Sequence, residues 1–163
     1  MMSQDTQHAV AAARRLIADS DRGALATALR GQAGWPYASF VLLAWDDGLA
    51  PLMFVSGLAE HTRNFLADPR ASLMIQAKDA DARPDGPLSA ERLTLVGRMA
   101  AADDPSLRER FFTRHPSARR LGALADFALY RLVAERAHLI AGFGRARWLD
   151  GAILLGDGSA APQ

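Results

Sequence analysis

Apolar residues recur at Val10, Ala13, Leu16 and Ile17, the spacing of one helix face, until Asp19-Ser20-Asp21 interrupts them. An amphipathic helix therefore opens the chain, behind a polar and flexible lead over residues 1–9. Gly23 to Leu29 sets small alanines against Leu25, Thr27 and Leu29, which suits a strand, although an alanine-rich run is also compatible with helix. Gly31 to Pro36 is a turn by composition. Beyond it Tyr37, Ser39, Val41, Leu43 and Trp45 share one face of a strand that Asp46-Asp47-Gly48 reverses into a partner, Pro51 to Ser56.

The stretch after that hairpin organises the rest. Met53, Phe54 and Val55 end a strand, Ser56 and Gly57 cap a short helix, and Asp68-Pro69 stops it because proline cannot continue a helix. Leu58, Phe65 and Leu66 fall on one side with Thr62, which predicts that His61, Asn64 and the first-turn amides point elsewhere, toward the strand ends. Free N–H groups and the positive end of the helix dipole favour an anion there, with His61, Thr62 and Asn64 as added donors. Spacing alone is equally compatible with ordinary solvated polar residues.

Ala71 to Ala77 is the next strand, Lys78 to Ala90 an aperiodic surface loop, and Glu91 to Ala101 a long strand in which Gly97 permits close backbone approach. Asp104-Pro105 opens a helix with Leu107, Phe111, Phe112 and His115 on one side, and Arg108, Arg110 and Arg114 in a solvated face offset by acidic neighbours. Asp126 to Val133 and His138 to Phe143 read as two final strands. His138 reads as a hydrogen-bonded strand residue in preference to a haem ligand. After Gly142-Phe143-Gly144, Arg145 and Arg147 can reach an anion, and residues 151–163 form a tail of small residues that frays at its end.

With 163 residues, half of them hydrophobic, the chain suits one domain over residues 10–150 with an unstapled core. The absence of cysteine excludes disulfides, thiolate metal sites and cysteine nucleophiles and suits a cytoplasmic location. Nineteen basic residues against 18 acidic ones, with no long like-charge block, give no electrostatic case for nucleic acid or an anionic membrane. Neither a nucleophile elbow, an H-E-x-x-H pair, a dinucleotide fingerprint nor a Walker loop is present. Strand candidates joined by short turns, without βαβ alternation, predict an α+β protein that is mainly β, an antiparallel barrel of six or so strands with flanking helices.

Several of these stretches resemble one family in order. Ser56, Leu58, Ala59, His61, Thr62, Asn64, Asp68, Pro69, Arg70, Ser72 and Leu73 match the S-x-L-A-x-H-T-x-N…(D/N)-P-R-x-S-L segment of FMN-binding split-barrel proteins, the pyridoxamine 5′-phosphate oxidase-like superfamily, and are most similar to its haem-utilisation type. Pro36 to Ser39, Asp126 to Leu132 and His138 to Ala146 match three further motifs, so the resemblance spans roughly residues 10 to 150.

The resemblance implies FMN between the subunits of a homodimer, with Leu93 to Arg98 near the partner. Its phosphate would be held by His61, Thr62 and Asn64, with Ser39, Ser56, the amides of Gly57 to Ala59 and Arg145 nearby. His61 takes the place of a lysine in the oxidases. The expected function is therefore a flavin-dependent oxidoreductase acting on a small molecule, the ring doing the redox chemistry. The alternatives are a haem-binding or haem-degrading protein on the same fold and a non-catalytic flavin carrier. Haem-degrading members commonly continue into a further C-terminal segment, and that places flavin first.

Overall fold

The structure, a computed structural model, describes residues 3–142 and 145–155. Helix α1 (Gln4–Asp19) begins at once, because the Ser3 side chain accepts from the Thr6 amide at 3.2 Å and caps it. Residues 4–9 are thus helical, a correction to the flexible lead expected over 1–9; a polar first turn needs only a cap, not an apolar face. Val10, Ala12, Ala13, Leu16 and Ile17 are its buried side.

Eight strands follow where six or so were expected: β1 (Arg22–Ala28), β2 (Pro36–Leu42), β3 (Ala44–Trp45), β4 (Pro51–Ser56), β5 (Arg70–Gln76), β6 (Arg92–Ala101), β7 (Phe127–Ile140) and β8 (Ala146–Asp150). All pairings are antiparallel, in the order β2-β1-β5-β6-β7-β4-β3, with β8 also on β7. The two ends of that order, β2 and β3, are separated in sequence only by Leu43, whose amide donates to the Asp21 carbonyl at 2.8 Å. One bent stretch of chain therefore edges both ends, and the sheet curls into a half-barrel with flanking helices.

Two strand expectations change. The hairpin after Trp45 pairs only Ala44 with Leu52 and Trp45 with Pro51; β2 belongs to β1, and β4 lies along β7. The two final strands are one, β7, whose first half pairs with β4 and whose second half pairs with β8 across the same edge. Glu135 and Arg136, between the two expected strands, lie beside a bulge at Val96/Gly97 across which the ladder with β6 continues. A Cβ at Gly97 would run into the Val133 carbonyl, which is why glycine stands there.

The segment after residue 150 also begins in order. Helix α4 (Gly151–Leu155) seals Leu154 completely, while residues 156–163 lie outside the described ones.

The core has two parts on opposite sides of the sheet. Inside the curl, Leu25, Val41, Leu43, Met53, Leu73, Ile75, Leu93, Leu95 and Leu132 pack under α1. Outside it, α3 (Pro105–Arg114), capped by Asp104, brings Phe111 and Phe112 onto Leu52, Phe54 and Leu129. Phe54 meets Phe112 edge to face at 5.1 Å. Helix α3 covers only the β4 end of the outward surface. Over β2, β1, β5, β6, the second half of β7 and β8, no other described residues cover that surface.

Candidate functional site

Helix α2 (Glu60–Ala67) leaves β4 through a tight corner. Ser56 accepts from the Leu58 amide at 3.0 Å and donates to Asp126 at 2.5 Å, while the Gly57 amide donates to the Asp126 carbonyl at 2.6 Å. The Ala59 amide is used as well, by the Ser56 carbonyl. The amides of Gly57 to Ala59, expected to face a phosphate, are therefore engaged. Those of Glu60 and His61 find no acceptor among the described residues and are the open donors of this helix start.

Around α2, Thr62 and Phe65 lie on the packed side as expected, but Asn64 joins them there in place of the two leucines. Leu58 and Leu66 are 68% and 63% exposed, whereas Thr62, Asn64 and Phe65 are buried. Asn64 explains the difference. Its Oδ1 accepts from the Arg30 amide at 3.1 Å and its Nδ2 donates to the Thr27 hydroxyl at 3.1 Å, so a fully buried amide clamps α2 to β1. A buried polar group with its partners supplied competes well with an exposed leucine. Asn64 is thus a clamp, sealed from any ligand in this arrangement. Thr62 is sealed too, its hydroxyl without a partner among the described residues.

His61 alone of the three reaches the surface. Its Nε2 is buried and without a partner among the described residues, and burial pushes its pKa below the ordinary value, so the ring is neutral at neutral pH. Ser39 lies opposite Leu25 on the inward side of β2, about 7 Å along the ladder from Thr27. Arg145 is not brought to this corner. It follows the Ile140 end of β7, whereas the Phe127 end pairs with Ser56, about 40 Å of strand away. Arg145 instead lines a cavity of about 700 Å³ with His8, Arg15 and Arg147 beside α1. The Phe143-Gly144 part of the glycine motif lies outside the described residues.

The sequence reading missed the open outward surface. Register places Phe40, Ala24, Met74, Thr94, His138 and Trp148 side by side across β2, β1, β5, β6, β7 and β8. The neighbouring row runs Ala38, Ala26, Ser72, Val96, Arg136. Phe40 and Trp148 are 66% and 55% exposed, and Met74 is exposed beside them. Trp148 stacks on the His138 ring at 4.6 Å and lies under the Arg136 guanidinium at 4.9 Å. The ring of His138 makes no hydrogen bond among the described residues, contrary to the expected structural role. The surface is broad and shallow; the row from Phe40 to Trp148 is largely apolar with one imidazole, and beyond the next row lie Arg70 and Arg98, the latter paired with Glu135, with Arg136 between. Alternation along each strand hints at it, but cross-strand register cannot be read from one sequence.

Among the described residues no helix is long and apolar enough to cross a membrane, and no three His, Asp or Glu side chains converge as metal ligands. Residues 4–153 match the family described as "CREG, beta-barrel". The chain is 30% identical over 136 residues to the chloroplastic non-canonical heme oxygenase HOZ of Arabidopsis thaliana, covering 82% of this chain and 40% of that protein. A heme-binding protein from Mycobacterium smegmatis superposes with a TM-score of 0.81 at 33% identity, covering 90% of this chain and 60% of that one. The chain thus spans less than two thirds of the length of these two relatives. A general stress protein 26-related protein of the pyridoxinephosphate oxidase family from Clostridium acetobutylicum has the same fold, with a TM-score of 0.65 at 14% identity over 88% of this chain and 95% of that one. The curled antiparallel sheet, the corner at Ser56 and the match over residues 4–153 place this chain in the CREG beta-barrel family, within the split-barrel fold of the pyridoxamine 5′-phosphate oxidase-like proteins.

Proposed function

We propose that this protein binds haem on the outward surface of its sheet, where a second copy of the chain covers the face that its own helices leave open. One observation carries the reading: six adjacent strands present Phe40, Met74, Val96 and Trp148 outward, with His138 and Arg136 among them. A planar apolar ligand with acidic edges suits such a surface. The rings and aliphatic groups give it contact area, an imidazole is a common haem-iron ligand, and a guanidinium suits carboxylates. The relatives named for haem support the same choice, and it replaces the flavin-first expectation. When bound, haem would supply redox and oxygen chemistry; the chain's part is to hold and shield it.

Haem titration of the purified protein tests this reading. Saturable growth of a Soret band at one haem per chain is expected, and no saturable band refutes it. Loss of the bound band with reductant and oxygen separates degradation from carriage.

A flavin reading remains as second, supported by the open Glu60 and His61 amides beside the His61 ring. On that reading the protein is an FMN-dependent oxidoreductase or a flavin carrier, with the phosphate at the start of α2. Because His61 is neutral at neutral pH, phosphate affinity rises as the pH falls and the ring gains charge. FMN titration at two pH values, with wild type and His61→Ala, checks it. Equal affinity throughout removes the corner as a phosphate site. A cysteine-free chain of either function suits a cytoplasmic setting.

A further inference from the structure

We infer that His138 is the iron ligand of the haem, held upright on the sheet by Trp148; this rests on the haem reading above. A porphyrin brings its own equatorial nitrogens, so one protein imidazole suffices and no cluster of ligating side chains is needed.

The four histidines differ in what they have free. His115 Nε2 is engaged with the Leu43 carbonyl at 2.8 Å, and its ring packs 5.0 Å from Phe111. The Nε2 atom of His61 is buried. His8 lies on the exposed side of α1, with Asp5 and Arg15 and away from the open sheet face. His138 alone stands on a broad apolar face with its ring unbonded among the described residues.

Trp148 supplies the orientation. Its ring lies 4.6 Å from the imidazole and is tilted from it by 22°, so the two rings stand side by side in neighbouring strands. A stacked neighbour limits rotation of the imidazole and leaves its edge, which carries the nitrogens, for a metal. Arg136, two residues before His138 and on the same face, lies over Trp148 and forms no ion pair among the described residues. It is placed to take a haem carboxylate. Met74, in the same cross-strand row two strands away, is the other soft donor on this face and a natural competitor to exclude.

The test compares ferric and ferrous haem complexes of wild type, His138→Ala, His138→Gln, Trp148→Phe, Met74→Leu and His61→Ala, with circular dichroism to show that each is folded. Wild type is expected to show the iron–histidine stretch of the ferrous five-coordinate complex by resonance Raman. Both His138 variants should lose it and bind haem at least tenfold more weakly, with added imidazole restoring the ligand signature in His138→Ala. Met74→Leu and His61→Ala should keep it. Trp148→Phe should keep the band but shift or broaden it, because the ring is less firmly braced. A wild-type iron–histidine band that survives in both His138 variants overturns the assignment while leaving haem binding intact. A wild type that takes up no haem overturns both this inference and the function on which it rests.

Discussion

Asn64 shows how much one buried amide decides. It stood in the sequence as a phosphate donor, yet it is spent on Thr27 and the Arg30 amide, and that choice turns Leu58 and Leu66 to solvent. Replacing Asn64 with Ala leaves a buried hydroxyl and an amide without their partner. Unfolding stability should fall by about 2 to 4 kcal/mol by denaturant titration, whereas Leu58→Ser should change it by less than about 0.5 kcal/mol. His61 makes a second residue-scale prediction. Its folded pKa lies below the ordinary value near 6.5, so below that pH the unfolded chain takes a proton that the folded chain resists. Its contribution to stability is thus present above pH about 6.5 and is lost as the pH falls through the depressed folded value. His61→Gln should flatten the acid side of a melting-temperature profile between about pH 7 and 5; an unchanged slope would show that this ring does not carry the effect.

Strand β7 is the element that makes the barrel split. It is long enough to serve β4 with one half and β8 with the other, and its ladder with β6 survives only through the bulge at Gly97. In sequence the same run reads as two strands, since Glu135 and Arg136 interrupt the apolar alternation. Both are exposed and cost the sheet nothing there. Gly97→Val should fail to give a cooperative transition, and Gly97→Ala should lose more than about 3 kcal/mol, because a Cβ meets the Val133 carbonyl and neither backbone can retreat within the ladder. A Gly97→Ala protein that melts like wild type would mean that the bulge relaxes freely.

At the scale of the whole molecule, curling puts one face of the sheet inside and leaves the other in need of cover. Helix α3 covers the β4 end and, among the described residues, nothing covers the rest, which is the basis for a second copy on the row from Phe40 to Trp148. Light scattering at micromolar concentration should give a dimer. Met74→Arg combined with Val96→Arg should shift it to monomer without unfolding, since both side chains point outward and two added charges per copy face their own images across a symmetric contact. A wild-type monomer, or a dimer unaffected by the pair, would remove this face as the contact.

The sequence by itself determined the elements and their order: the period-two runs, the cap at Asp104, the stop at Pro69 and the ordered motifs were enough for an antiparallel split barrel, although α2 starts from Ala59 and not from the expected cap at Ser56. These are local properties, set by alternation, capping and proline geometry within a few residues. Only the tertiary structure decided which strands meet. That β2 leaves β4 for β1, that α2 buries Asn64 and exposes Leu66, that Arg145 lies at the far end from Ser56, and that Phe40, Met74, His138 and Trp148 share a surface all depend on register between segments as far apart as those of Phe40 and Trp148. Such pairings are selected by the burial and hydrogen bonding of the assembled fold, and no window along the chain contains them.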